Sequence, residues 1–129
     1  MRREGILNAQ LAGALARPGH TDTPVLRDAG LPIPPSPEVV DLAFRFGVLP
    51  FETVLSGILE ELVVEGATAA DETEAQNPRS YELLQTRLPD LKLVHHEKLR
   101  RLVAGAKLVI RTGEATPYSN VFLRCGVPF

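Results

Sequence analysis

Proline decides where this chain can be regular. Eleven of its 129 residues are proline, and each lacks an amide hydrogen and has a fixed φ, so it opens or closes elements rather than continuing them. Four of them fall within Leu31–Pro37, LPIPPSP. That stretch is too stiff for a helix and cannot donate within a central strand, so it predicts an extended loop over the surface or against a partner. Pro18, Pro50, Pro78 and Pro89 bracket the remaining segments, which alternate between two hydrophobic periods.

Asn8 is placed to cap a helix over Ala9–Ala16, with Leu11 and Leu15 one turn apart and Pro18-Gly19 as the stop. Thr23–Asp28 reads as a strand. Val39–Phe46 reads as another, with Val40, Leu42 and Phe44 on one face, because Gly47 and Pro50 leave little room for a helix. Phe51–Glu61 is helical in pattern, with Val54, Leu55, Ile58, Leu59 and Leu62 at 3.6 spacing, and Leu62–Ala70 turns β-like. Asn77 would cap a helix over Pro78–Arg87, with Tyr81, Leu84 and Leu88 on one face. Leu91–His95 alternates as a strand. Glu97–Ala104 carries Leu99, Leu102 and Val103 as a helical stripe closed by Gly105. Lys107–Arg111 and Asn120–Cys125 are two further strands around the loop TGEATPYS. Strands alternating with helices imply an α/β layered fold, a central mixed sheet flanked by helices. With no repeat and no linker, residues 1–129 read as a single domain.

Composition narrows the function classes. Hydrophobic residues at 44% and charged residues at 23% suit a globular chain and not a disordered one. A net charge of −2 offers no basic footprint for nucleic acid. The single cysteine, Cys125, can form neither an internal disulfide nor a cysteine zinc site, and its apolar strand end suggests packing. The first sixteen residues mimic a secretion signal, but Glu4, Asn8 and Gln10 interrupt the apolar stretch. No run approaches membrane-spanning length, so a cytoplasmic chain with no membrane partner is expected.

The polar residues offer three places for chemistry. In RPGHTDTPVLRDAG, His20 sits on a tight turn and Asp28 where the following strand ends; they read either as an acid–base pair or as a polar turn and a capping aspartate. His95 and His96 stand where a strand hands over to a helix. The helix dipole there favours a neutral imidazole able to accept a proton, although capping alone would also place them. Adjacent histidines cannot easily reach one ion, and HxH and HxxxH spacings are absent, so no metal is expected. The loop Thr112–Asn120 gathers hydroxyls, Glu114, Tyr118 and Asn120, which suits a sugar's two-sided chemistry but is also ordinary turn composition. Neither a phosphate-binding glycine loop nor a serine nucleophile elbow is present.

The words GHTDT (19–23), DAGLPIP (28–34), GVLPF (47–51), HEKLR (96–100), RTGEATPYSN (111–120) and GVPF (126–129) run in order along essentially the whole chain. In them the sequence resembles the ribose pyranase/fucose mutarotase family, and DAGLPIP favours the ribose branch. The resemblance implies a cofactor-free isomerase of ribose catabolism that interconverts the pyranose and furanose forms of D-ribose. It implies His20 as the acid–base, Asp28 and His96 as substrate-binding residues, and Tyr118, Ser119 and Asn120 as the C-terminal sugar-binding segment. It also implies a ring-based homodecamer with sites between neighbouring subunits, for which the proline-rich loop and the terminal VPF would be contact surfaces. His95 stands where the resemblance leads one to expect a small polar residue. Strand phase places it with Leu91 and Leu93, towards the core or a subunit contact, and leaves His96 for the ligand. The alternatives are a fucose-type mutarotase or a non-catalytic sugar-binding accessory of ribose transport.

Overall fold

Six strands form one sheet in the order β2-β5-β1-β6-β3-β4; the computed structural model describes all residues, Met1–Phe129. The strands are β1 (Val25–Arg27), β2 (Glu38–Asp41), β3 (Val64–Ala70), β4 (Leu91–Val94), β5 (Leu108–Arg111) and β6 (Val121–Cys125). Five of them run the same way. Strand β6 alone is reversed, pairing antiparallel with β1 on one side and β3 on the other. The carboxyl ends of five strands and the amino end of β6 therefore share one edge of the sheet.

Helices cover both faces: α1 (Ala9–Leu15), α2 (Phe51–Glu61), α3 (Glu72–Gln76), α4 (Pro78–Arg87) and α5 (His96–Leu102). Alternation along the strands feeds two cores. Leu26, Ile110, Val121 and Leu123 face α1, α2 and α4, while Val25, Val109 and Phe122 face α5 and the 3-10 turn after it. A sheet buried on both sides needs apolar residues at both phases, and Val25-Leu26 of β1 and Leu108-Val109-Ile110 of β5 supply them. Helix α2 contributes Phe51, Val54, Leu55 and Ile58, all buried, each stabilising by about 1.5–3 kcal/mol. No helix is long and apolar enough to cross a membrane.

Most predicted elements are present, including both asparagine caps: Asn8 accepts from Leu11 N at 2.9 Å and Asn77 from Ser80 N at 3.2 Å. The proline-rich segment is irregular, pinned by a Ser36 hydroxyl donating to Ala104 O.

Two expectations change, and one helix is new. The strand expected over Val39–Phe46 ends at Asp41. There the Asp41 carboxylate accepts from Ala43 N at 3.0 Å and turns the chain into a tight 44–48 hairpin, leaving Phe44 exposed rather than on a core face. His95 is not on the strand at all; it is the N-cap of α5, solvent-exposed, its Nδ1 accepting from Glu97 N and its Nε2 3.3 Å from Glu72. Helix α3 was not foreseen, because ETEAQ has no apolar period to read.

Candidate active site

A cavity of about 400 Å³ opens at the shared carboxyl edge, between the β1 and β5 loops and the start of α5. In open α/β sheets this is where ligand sites fall. It brings together Asp28, His96, Tyr118 and Asn120 with Leu31, Arg100 and Glu114, and Phe46 stands at its rim.

Asp28 and Asn120 form the floor, and each fixes the other. Asp28 Oδ1 accepts from Gly30 N and Leu31 N, both at 2.9 Å, the turn that DAGL encodes. Its Oδ2 accepts from Asn120 Nδ2 at 2.9 Å, and Asn120 Oδ1 accepts from Asp28 N at 3.0 Å. Both residues are buried. One lone pair on Asp28 Oδ2 and one hydrogen on Asn120 Nδ2 stay unused by these contacts, an acceptor beside a donor. Two neighbouring hydroxyls, one donating and one accepting, would fit that pattern.

His96 and Tyr118 form a wall, their rings in edge contact at 5.1 Å. His96 Nδ1 is buried without a partner, leaving Nε2 as the nitrogen that can meet a ligand. Tyr118 has φ of 64°, a left-handed conformation that costs a bulky residue about 1–3 kcal/mol and is held only by its surroundings.

Helix α3 provides that hold. Its Glu72 carboxylate accepts from His96 N at 2.9 Å, and its Thr73 hydroxyl donates to Tyr118 O at 3.2 Å. Asn77, at the end of the same helix, donates to Pro117 O and to Ser119 Oγ. Burial pushes the Glu72 carboxyl up, but its own N–H, Asp71 and the His96 N–H outweigh that and hold it below the ordinary value; Asp71, sharing a hydrogen bond with Glu72, is raised. A Thr73→Val substitution keeps the shape and removes only the hydroxyl. It should free the Tyr118 carbonyl and loosen the wall, raising the KM for the cavity's substrate about three- to tenfold while kcat changes less; an unchanged KM in saturation kinetics would show that α3 does not hold the wall.

Glu114 anchors the remaining loop. Burial pushes its carboxyl up, but the N–H groups of Thr116 (3.0 Å) and Phe51 (3.2 Å) donate to it and bring it below the usual range. Its stabilising effect is complete above the ordinary carboxylate pKa and is lost as pH falls through the lowered value. Next to it, Gly113 is irreplaceable, since a Cβ there would lie 2.1 Å from Val48 O. That backbone-on-backbone contact docks the 44–48 hairpin and sets Phe46 at the cavity.

Two predicted site residues lie elsewhere. Ser119 is fully buried and turned away, its hydroxyl bonded to Asn77 and Ser80; it braces the loop from behind. His20 is at the opposite edge of the sheet, its Nε2 3.2 Å from Glu65 Oε2. Thr21 N donates to Cys125 O at the far end of β6, whose five residues span about 16 Å. Within one chain, then, His20 and Asp28 are not an acid–base pair, because the strand between them separates them. Conversely, Arg100 lines the cavity without having been singled out as a ligand, beside Glu114 of the loop whose composition suits a sugar. Arg100 lies one turn after His96 in HEKLR, and i,i+4 spacing was the available signal. Cys125 is buried, and burial, with Asp22 and Glu65 nearby, pushes its thiol pKa up. No three His, Cys, Asp or Glu side chains are grouped closely enough to hold a metal ion.

A mixed sheet with a small, histidine-walled cavity at its carboxyl edge, with Asp28 and Asn120 on its floor, offers a place suited to a compact polyhydroxylated molecule. The chain belongs to the RbsD / FucU transport protein family, whose model matches residues 1–128. It is 69% identical to D-ribose pyranase 1 of Rubrobacter xylanophilus and 60% identical to D-ribose pyranase of Streptomyces avermitilis, covering 100% of each and of itself. The structure of Bacillus subtilis RbsD complexed with D-ribose matches with a TM-score of 0.95 at 40% identity over 100% of both chains. The fucose mutarotase of Streptococcus pneumoniae, at 18% identity, TM-score 0.74 and 95% of both chains, shares the fold.

Proposed function

We propose that this chain is a D-ribose pyranase, an isomerase that interconverts the pyranose and furanose forms of D-ribose. The observation that carries the reading is a cavity in which Asp28, His96, Tyr118 and Asn120 converge, in a chain alike from end to end to D-ribose pyranases. The reaction moves protons and one C–O bond. The anomeric hydroxyl loses its proton, the ring oxygen gains one, and the bond from C1 to the ring oxygen breaks to give the open-chain aldehyde. A different hydroxyl then attacks C1 and loses its proton, while the carbonyl oxygen regains one. The proton count is unchanged over the cycle.

In this reading His20 is the acid–base, contributing about 10²–10⁴-fold. Asp28 and Asn120 bind adjacent hydroxyls, His96 Nε2 binds a third, and the Tyr118 ring covers the C–H face of the sugar. Ser119 supports the segment from behind rather than touching the sugar. Because His20 and the cavity lie at opposite edges of one sheet, each site joins the cavity of one subunit to His20 of another. A ring-shaped homo-oligomer, a decamer as the family likeness implies, provides that arrangement in the cytoplasm. Phe44, Phe46 and Phe129, all strongly exposed here, would be covered by such contacts.

Saturation-transfer NMR of ribose tests the reading. The protein should accelerate pyranose–furanose exchange at neutral pH with chelator present. Ribose binding without faster exchange would make it a sugar-binding accessory, and faster exchange of fucose than of ribose would move it to the fucose mutarotases.

A further inference from the structure

The sheet edge opposite the cavity is shaped around His20. Strand β3 begins with a bulge: Val64 pairs with Cys125 and Gly66 with Arg124, so Glu65 has no residue opposite it. A bulge re-aims the side chain it carries, and here it sends the Glu65 carboxylate towards His20. Oε2 lies 3.2 Å from His20 Nε2, while Oε1 accepts from Arg124 Nε at 3.0 Å. Two glycines leave the space for this. A Cβ on Gly126 would lie 3.3 Å from Glu65 Cβ and 3.4 Å from Oε2, and one on Gly66 would lie 2.9 Å from Arg124 Nη2. The histidine's own turn is fixed as well. Gly19 N donates to Asp22 Oδ2 at 2.9 Å, Thr21 N donates to Cys125 O at 2.9 Å, and Thr21 has φ of 69°.

A carboxylate only accepts hydrogen bonds, and a neutral imidazole carries one hydrogen. Against Glu65 that hydrogen belongs on Nε2, which leaves the lone pair of Nδ1 free. We propose that Glu65 is a positioning residue that fixes His20 as its Nε2–H tautomer, so that Nδ1 takes and returns the proton of the sugar. Arg124 completes the device by occupying the other carboxylate oxygen and holding the first on His20. The inference rests on the reading of His20 as the acid–base, and adds which atom acts and what orients it.

Glu65→Gln tests it by reversing the hydrogen-bond polarity. Arg124 Nε can donate only to the amide oxygen, so the amide NH2 must face His20. Nε2 then becomes an acceptor, and the ring hydrogen moves to Nδ1, onto the atom that has to receive a proton. Ring ¹⁵N NMR of the assembled protein should report Nε2–H in the wild type and Nδ1–H in Glu65→Gln. Ribose exchange should fall at least about 10²-fold in kcat with KM within about threefold, since a histidine in the wrong tautomer loses its catalytic role. In Glu65→Gln with Arg124→Leu the amide is free to turn its oxygen to His20. That double variant should recover the Nε2–H form and at least about tenfold in rate over Glu65→Gln alone. A Glu65→Gln protein that stays Nε2–H, or that exchanges ribose at the wild-type rate, overturns the proposal. His20→Ala measured alongside separates the two levels: if it keeps the wild-type rate, the acid–base assignment itself fails. If it is slow while Glu65→Gln is not, only the role of Glu65 fails.

Discussion

Subunits carrying His20→Ala should exchange ribose at least about 10²-fold more slowly than the wild type, and subunits carrying His96→Ala should be similarly impaired through loss of binding. Mixed in equal amounts by co-expression, the two inactive variants should recover roughly one quarter of wild-type activity. The expectation follows from β1 and β6. His20 is tied to the carboxyl end of β6 through Thr21 N and Cys125 O, whereas Asn120 and Asp28 hold the cavity at its amino end. No side-chain rotation crosses that span. With His20 as the acid–base of the proposed function, a working site therefore needs an intact cavity from one chain and an intact His20 from another. In a random mixture half the cavities keep His96 and half the facing donors keep His20, so about a quarter of the sites keep both. Neither substitution removes a residue of the two hydrophobic clusters, since His20 lies on an exposed turn and His96 is half-buried at the cavity wall. Mixtures as slow as either parent would mean that His20 acts on its own chain or not at all.

The features legible in the sequence were those with local causes. Asn8 and Asn77 announce helices because a cap is a contact over three residues, and both caps are made. The strands around Val25, Val109 and Phe122 are legible because β-branched and apolar runs bounded by glycine and proline have few other uses. What escaped reading depends on contacts distant along the chain. The Val39–Phe46 strand stops at Asp41 because its partner β5 ends at Arg111, whose carbonyl takes the last ladder bond from Leu42 N. Helix α3 is stabilised by what it grips, His96 N and the Tyr118 carbonyl, and not by any apolar stripe of its own. Strand phase sent His95 inward, but Glu72, twenty-three residues earlier, draws it out as a cap. For the site, DAGL and PYSN could be read as ligand-binding words, and Asp28, Tyr118 and Asn120 do meet at one cavity. The direction of each side chain could not be read. Ser119 has the same composition value as its neighbours yet points backward, and the strand read over Thr23–Asp28 already lay between His20 and Asp28, although its length as a separation was not drawn from it.

Asp28→Asn should act on stability and on binding at once, and a second substitution should separate the two. Asp28 is 7% exposed and Asn120 1%, so neither can turn to water for a replacement partner. The pair has only one consistent polarity: Asn120 Oδ1 must face Asp28 N, which turns its NH2 onto the carboxylate. An amide at position 28 breaks this in either orientation. With its nitrogen towards Asn120, two NH2 groups meet. With its nitrogen the other way, it faces the N–H groups of Gly30 and Leu31. Buried donors left unpaired cost about 1–3 kcal/mol, which should lower the melting temperature by several degrees. Loss of the cavity's carboxylate should also weaken ribose binding by about ten- to a hundredfold, the worth of a hydrogen bond to a charged group. Exchanging both residues, Asp28→Asn with Asn120→Asp, restores every pairing. The amide now at position 28 can donate to the carboxylate at position 120, while its oxygen accepts from Gly30 and Leu31. The double variant should therefore melt close to the wild type and yet stay slow, because the carboxylate has moved to the other side of the pair. Recovery of ribose exchange together with stability would mean that the pair shapes the floor without choosing which hydroxyl it binds; an Asp28→Asn protein as stable as the wild type would remove the pairing argument itself.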